Sequence, residues 1–254
     1  MRQVDLNSDL GEGFGLYQIG DDDALLSVVT SANIACGFHA GDPEIMARSF
    51  RIAKERGVAV GAHPGFPDLA GFGRRHIPFT LTEIEHLFAY QIGAAQAVAA
   101  CSGHAITYVK PHGALANLAE TEGDVADALA RAVRAIDRSL SFLAIALSEQ
   151  VRAAEAAGLK AISEIFADRG YSERGQLLPR GKAGAFIESP EEAAERALRM
   201  IEAGAIITTG SKNIATEIGS VCVHSDGPNA AETARQVRAR LEGAGIRVAA
   251  FSEP

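Results

Sequence analysis

Histidines stand at the ends of apolar, β-branched segments of this 254-residue chain more often than elsewhere. Four of its seven histidines, His39, His63, His112 and His224, occupy such ends. Imidazoles move protons near neutral pH, and neutral imidazoles bind divalent metals. The pattern predicts a site for proton transfer, substrate binding or metal binding. No HxxH or HExxH spacing favours metal binding over proton transfer or substrate binding. Structural histidines held by hydrogen bonds are a further alternative.

Acidic and amide side chains follow the first apolar segment. Asp5, Asn7 and Asp9 alternate along the chain, so an extended strand sends all three to one side, and Glu12 follows in a glycine-rich turn. Asp5 and Asn7 could form a hydrogen-bonded plug that anchors the loops. Asp9 and Glu12 are better placed for chemistry, because two neighbouring carboxylates can share a proton and serve as acid and base.

Cationic side chains complete the set of candidate site residues. Lys110 ends an apolar strand, where burial would lower its pKa unless a carboxylate pairs with it, so a partner Asp or Glu is expected. Arg74, Arg75, Arg169 and Arg180 lie on long loops, and a guanidinium fork suits a carboxylate or a phosphate. Solvated or structural ion pairs are the alternative role for each of them.

Alternating strands and helices position these residues. The predicted strands are 3–7, 30–35, 58–62, 106–110, 142–146, 160–166, 219–224 and 246–251. Helix starts are marked by Asp42-Pro43, by a capping box at Thr80 to Glu83, by Ser189-Pro190 and by Pro228, and Gly57 is expected to close the first of these helices.

Repeated strand–helix units predict a parallel (β/α) barrel of the TIM type, with seven or eight strands, in a single domain over residues 1–254. The connections that follow strands are long, as over 65–79 and 168–188, whereas those that follow helices are short. In such barrels the long loops build the active site at the carboxyl ends of the strands. No strand leads into GxGxxG or GxxxxGK[ST], so neither phosphate-binding loop is predicted.

Composition narrows the class of protein. Hydrophobic residues make up 47% and charged residues 22% of the chain, a balance typical of globular proteins. The net charge of −8 disfavours nucleic acid and anionic membranes as partners. The sequence has no secretory-type start and no membrane-length apolar stretch. Three cysteines without a CxxC pair indicate a reducing cytoplasm.

Seven segments resemble the LamB/YcsF family, and the resemblance spans essentially the whole chain. They begin with Asp5-Leu6-Asn7-Ser8-Asp9-Leu10-Gly11-Glu12-Gly13-Phe14-Gly15 and Ala32-Asn33-Ile34-Ala35-Cys36-Gly37-Phe38-His39-Ala40-Gly41-Asp42. The others are Gly61-Ala62-His63-Pro64-Gly65-Phe66-Pro67-Asp68, Gly71-Phe72-Gly73-Arg74-Arg75, Val109-Lys110-Pro111-His112-Gly113-Ala114-Leu115, Phe166-Ala167-Asp168-Arg169 and Leu178-Pro179-Arg180.

The resemblance implies a barrel related to the glycoside hydrolase/deacetylase superfamily. It also implies the A subunit of a 5-oxoprolinase, which opens 5-oxo-L-proline to L-glutamate with hydrolysis of ATP and acts with partner subunits B and C. For that reaction the catalytic candidates are Asp9, Glu12, Lys110, His112 and Asp168. The substrate-binding candidates are Asn7, Asn33, His63, Arg75, Arg169, Arg180 and His224. The candidate ligands of a divalent metal are His39, His63 and His112.

Two other functions are compatible with the residues. One is a metal-dependent deacetylase or amidohydrolase that acts alone. The other is a non-catalytic subunit that binds the lactam for its partners.

Overall fold

The computed structural model describes residues 2–253 and shows a closed parallel barrel. Within these residues seven strands form the ring: β1 (Gln3–Leu10), β2 (Ser31–Ala35), β3 (Ala59–His63), β4 (Ile106–Val109), β5 (Ser141–Ile145), β6 (Ala161–Phe166) and, after an intervening hairpin, β9 (Ser220–Cys222). The ring closes where β9 pairs with β6 on one side and with β1 on the other. The predicted barrel is confirmed.

Helices cover the outside of the ring. They are α1 (Asp22–Leu26), α2 (Pro43–Arg56), α3 (Leu81–Cys101), α4 (Gly113–Thr121), α5 (Gly123–Ile136), α6 (Glu149–Ala156), α7 (Pro190–Ala203) and α8 (Ala230–Gly243). The predicted caps hold for α2 and α3: Asp42 accepts from two backbone N–H groups, Gly57 ends α2 in the left-handed region, and Thr80 and Glu83 form the capping box. Ser189 caps α7, and α8 begins two residues after Pro228.

The last predicted strand has a different role from the other seven. β10 (Arg247–Val248) pairs with β1 only at Gln3 and Val4, below the point where β9 joins β1. Phe251 then turns under the barrel and packs against Tyr108, with ring centroids 5.0 Å apart. This segment therefore closes the end of the barrel that lies opposite the carboxyl ends of the strands.

One hairpin was not predicted. β7 (Ala205–Ile207) and β8 (Asn213–Ala215) pair antiparallel outside the barrel, joined by the Gly210-Ser211-Lys212 turn. Strands of three residues carry too little periodicity to be distinguished from a loop in the sequence.

The interior of the barrel is tightly packed around the ring of Tyr108. Tyr108 is fully buried there, and an added Cβ at Gly61 would lie 2.3 Å from its ring. The ring cannot swing away, because its hydroxyl donates to Asn33 at 2.7 Å and Phe251 lies below it.

We expect Gly61→Ala to lower the free energy of unfolding by about 1–3 kcal/mol, the usual cost of overpacking. Gly93→Ala in α3 is the matched control, since an added Cβ there meets nothing within 4 Å, and it should raise stability by about 0.5–1 kcal/mol. Chemical denaturation of both variants measures the difference. Equal stability of the two variants would show that the packing around Tyr108 accommodates the added methyl group.

Between residues 2 and 253 no helix combines the length and apolarity needed to cross a bilayer.

Candidate active site

Lys110 stands at the centre of a polar interior at the carboxyl ends of the strands. Its ammonium lies 3.0 Å from Asp9 and 3.1 Å from Glu164, and it also donates to Asn7 and to the sulfur of Cys222. Burial alone would lower the pKa of Lys110, but the carboxylates around it, Asp9 foremost, hold that pKa well above its usual value. The expected carboxylate pairing of this lysine is confirmed, and it involves two partners.

Two asparagines lie beneath Asp9 and do not reach the cavity. Asn33 donates to Asn7 at 2.7 Å and to Asp9 at 2.8 Å, and Asn7 donates to Ser220 and Glu164. Both asparagines are fully buried, and neither lines the cavity described below. They were expected to bind substrate. In the structure Asn33 contacts Asp9, and Asn7 contacts Glu164 and Lys110.

Asp9 and Glu12 titrate in opposite directions from their usual values. Burial raises the pKa of both, but for Asp9 the Lys110 ammonium and His63 outweigh burial and hold the pKa well below its usual range. For Glu12 burial prevails, and the pKa is raised. Such divergence between neighbouring carboxyls is the arrangement by which enzymes separate an acid or base from a permanently ionised group.

Three of the predicted histidines meet beside Glu12. His63 donates its Nδ1 hydrogen to the Lys110 carbonyl at 2.8 Å, and His112 donates its Nε2 hydrogen to the Phe72 carbonyl at 2.9 Å. The other ring nitrogens of these two residues therefore carry lone pairs when neutral, and they face each other at 3.1 Å. Two lone pairs repel at this distance, so the geometry calls for a proton or a cation between them.

The donor set suits a divalent metal. One donor atom each from Glu12, His39, His63 and His112 lie within 4.8 Å of one another, and all four residues are buried. The backbone carbonyls that hold His63 and His112 are the outer partners that metal-binding imidazoles usually have. His39 stacks on His112 at 3.6 Å, and its Nδ1 is buried without a hydrogen-bond partner among the described residues. Glu12, rather than Asp9, supplies the carboxylate of this cluster.

His224 and Asp168 form a separate pair, 2.9 Å apart, after β9 and β6. Burial alone would lower the pKa of His224, but the Asp168 carboxylate raises it above its usual value. His224 faces the cavity, and Asp168 lies behind it. Asp168 therefore acts through His224 rather than directly on a bound molecule.

We expect Asp168→Asn to lower the pKa of His224, because burial then acts without the opposing carboxylate. The charged form of the imidazole would then be less populated at a given pH. Histidine titration by NMR measures the change, with Asp137→Asn, at a half-buried position outside the cavity, as control. An unchanged titration midpoint would show that Asp168 does not set the charge of His224.

A cavity of 250 Å³ opens above these groups. Its lining includes side chains from most of the strand ends: Asp9, Glu12, His63, Lys110, His112, Glu164 and His224. This volume lies below the range of about 300–1,000 Å³ that is typical of drug-sized ligands. The cavity therefore fits a small metabolite.

The arginines expected to bind substrate occupy three different positions. Arg180 lines the cavity mouth. Arg169 also lines it, but its guanidinium is buried and donates to the carbonyls of Ala185 and Leu178, so it holds the loop over 168–188. Arg75 lies outside the cavity: it pairs with Asp68, and its side chain is 67% exposed.

Its neighbour Arg74 lines the mouth instead and pairs with Asp226, which was not predicted to belong to the site. Ser225 was also not predicted, although its hydroxyl donates to Glu12 at 3.0 Å. Proximity to His224 at the end of a strand was the signal available for Ser225 and Asp226. The other three histidines lie outside the cavity: His76 and His86 are exposed, and His104 is half-buried.

Comparison with known proteins identifies relatives of this chain. The model of the LamB/YcsF family matches residues 4–254. A protein of Azorhizobium caulinodans, named as the A subunit of 5-oxoprolinase, is 61% identical over 252 residues, which cover 99% of this chain and 100% of the relative. The crystal structure of a lactam utilization protein from Thermus thermophilus superposes with a TM-score of 0.92 at 44% identity, covering 98% of this chain and 100% of that one.

A more distant structure shares the fold alone. A family 4 carbohydrate esterase from Streptomyces lividans aligns with a TM-score of 0.52 at 12% identity, over 99% of this chain and 93% of the esterase. This likeness supports the predicted TIM-like barrel and nothing finer. With a family model that spans nearly the whole sequence and relatives above 40% identity, the chain belongs to the LamB/YcsF family.

Proposed function

We propose that this chain is the A subunit of an ATP-dependent 5-oxoprolinase, which opens the lactam of 5-oxo-L-proline to L-glutamate together with subunits B and C. One observation carries the proposal: Asp9, Glu12, Lys110 and three imidazoles converge on a cavity of 250 Å³. The name of the Azorhizobium relative, which designates one chain of a larger enzyme, supports both the activity and an assembly of several chains.

The chemistry of the lactam explains the coupling to ATP. A five-membered lactam is unstrained, and both reacting ends of its product are tethered, so ring closure is favoured entropically. Phosphorylation of the carbonyl oxygen would turn a poor electrophile into an activated one. The small volume of the cavity supports the lactam, rather than the nucleotide, as its occupant.

Glu12 is the proposed general base. Its raised pKa suits a group that takes a proton from water and returns it to the ring nitrogen as the C–N bond breaks. Asp9 stays ionised and keeps Lys110 charged beside the cavity. Lys110 and His112 would stabilise the negative charge of the phosphorylated oxygen. Cleavage of the C–N bond would leave an acyl phosphate, which a second water would hydrolyse to glutamate and phosphate. His224, whose pKa the Asp168 carboxylate raises, faces the same space.

Reconstitution with subunits B and C tests the proposal. The complete assembly should form glutamate from 5-oxo-L-proline only when ATP is present, and omission of this chain should abolish the product. Glutamate formation by B and C alone would overturn the catalytic role. Normal rates in variants of Glu12 and Asp9 that still bind the lactam would favour a non-catalytic, lactam-binding role.

We also propose a divalent metal at Glu12, His39, His63 and His112, because the lone pairs of His63 and His112 face each other beside a buried carboxylate. A metal bound there would polarise a carbonyl or lower the pKa of a bound water. This cluster favours a second function, hydrolysis of an amide or ester by the chain alone, in which Glu12 is a ligand instead of a base.

Elemental analysis of the purified chain distinguishes the two functions. A metal site predicts one equivalent of a divalent metal in the wild type and in His86→Ala, an exposed control, and a marked loss in His63→Ala. ATP-independent hydrolysis by the isolated, metal-loaded chain would support the second function. Equal metal content in all three proteins would exclude this cluster as the binding site.

The three cysteines support a reducing compartment for the proposed assembly. Cys36, Cys101 and Cys222 are all free thiols, and Cys101 is exposed. Disulfides form readily in oxidising compartments and rarely in the cytoplasm. We therefore propose the cytoplasm as the place where this chain works.

A further inference from the structure

A single carboxylate lies between two arginines at the mouth of the cavity. Asp226 accepts from Arg74 through Oδ2, and the guanidinium of Arg180 lies 3.9 Å from that same oxygen. The three side chains come from three different loops, after β3, β6 and β9. All three remain partly exposed, Asp226 at 23%, Arg74 at 31% and Arg180 at 34%, so water and solutes can reach them.

The two arginines are held in place independently of Asp226. The guanidinium of Arg74 lies 4.8 Å from the centre of the Phe72 ring, and that of Arg180 lies 5.3 Å from the centre of the Phe186 ring. Stacking on an aromatic face fixes a guanidinium and leaves its edge free to donate. Both arginines would therefore keep their positions if Asp226 moved away.

We propose that Asp226 is an internal substitute for the anionic group of the ligand, and that Arg74 and Arg180 bind this group once it displaces the carboxylate. A carboxylate or a phosphoryl group can accept two parallel hydrogen bonds from a guanidinium, and either could span both arginines. Asp226 offers them only one oxygen. The identity of the anion rests on the proposed function, but the binding of an anion does not.

Displacement of the Asp226 carboxylate by a ligand anion costs little free energy. Ion pairs that are partly exposed contribute little to stability, so a ligand with more oxygens has little to overcome. Asp226 also lines a second groove, formed with Pro228 and Asn229 on the outer side of the mouth. The displaced carboxylate can turn into this groove without leaving the surface. Asp226 would thus weaken binding of every anion and favour ligands that engage both arginines.

Anion binding by the full-length chain, without ATP or partners, tests the proposal. Calorimetric titration would use three probes: 5-oxo-L-proline, its carboxamide, which lacks the carboxylate, and inorganic phosphate. Asp226→Asn should tighten binding of the anionic probe about threefold to tenfold. The matched control is Asp23→Asn, which removes a carboxylate that is also shared by two arginines, Arg48 and Arg56, elsewhere on the surface.

The pattern of the results identifies the anion. Tighter binding of 5-oxo-L-proline but not of its carboxamide assigns the pair to the substrate carboxylate, and tighter binding of phosphate alone assigns it to a phosphoryl group. Arg74→Ala and Arg180→Ala should each weaken the same probe about tenfold or more. The proposal is overturned if Asp226→Asn binds every probe no more tightly than Asp23→Asn does, or if both arginine variants bind like the wild type. If the wild-type chain binds the anion but its complex with B and C forms no glutamate, the result would count against the proposed function alone.

Discussion

Replacing Glu12 by Gln is expected to lower the turnover of the assembled enzyme by about 100-fold or more, the range for loss of a general base. Glutamine preserves the size of the side chain and can still accept from Ser225, which contacts Glu12 at 3.0 Å, so the loop after β9 should keep its position. The steady-state rate of glutamate formation measures the effect. Because the loss falls on the chemical step, kcat should drop while KM changes little.

Asp5→Asn is the matched control for Glu12→Gln. Asp5 lies in β1, the strand that precedes Glu12, is buried, and has a pKa raised by burial to about 6, but three hydroxyl groups hold it below the site. The turnover of the enzyme with Asp5→Asn, per folded molecule, should stay within a few-fold of the wild-type value. Asp9→Asn should lower turnover by about 100-fold or more as well, because Lys110 loses its principal partner. Near-normal rates in both the Glu12 and the Asp9 variant would remove these carboxyls from the reaction.

Lys110→Met should destabilise the fold by about 3–5 kcal/mol at neutral pH, the range for breaking a buried ion pair by removing one partner. Methionine retains most of the volume but leaves Asp9 and Glu164 buried without a cation, at sites that are 5% and 1% exposed. The free energy of unfolding from chemical denaturation measures the loss. A decrease below about 1 kcal/mol would show that water or a metal compensates the carboxylates.

The pH dependence of Lys110→Met provides an internal check. Lys110 holds the pKa of Asp9 below its unfolded value, so in the wild type this contribution to stability is lost as pH falls through the folded pKa. Without the cation, burial raises the pKa of both carboxyls, and the variant should gain stability as the pH falls. Lys110→Met/Glu164→Gln should recover part of the loss at neutral pH, since one of the stranded charges is then absent.

Local signals explain why so much of the barrel could be predicted. Capping residues such as Asp42 and Thr80 act on backbone groups within three positions, and the structure shows them doing so. The position of His63 and Lys110 at strand ends is likewise a property of the neighbouring sequence. Parallel strands then bring such ends together, whatever the details of the intervening helices.

Partner choice across the barrel could not be predicted in the same way. Sequence indicated a carboxylate for Lys110 but did not reveal that Glu164, from the opposite wall, would join Asp9. Arg74 and Arg75 are adjacent, yet only Arg74 reaches the cavity, because left-handed backbone at Phe72 and Gly73 turns the loop just before them. Such choices depend on loop conformation and on contacts between residues far apart in the chain.

The way the barrel closes has a consequence for its synthesis. β1 pairs on one edge with both β9 and β10, and Phe251 packs beneath the barrel against Tyr108. While the ribosome is still translating the middle of the message, one edge of the first strand has no partner, and it stays exposed until Ser220 and Arg247 emerge. Pairing over so long a separation is slow, and unpaired edges promote aggregation. Nascent chains of this protein are therefore expected to depend on chaperones until translation is nearly finished.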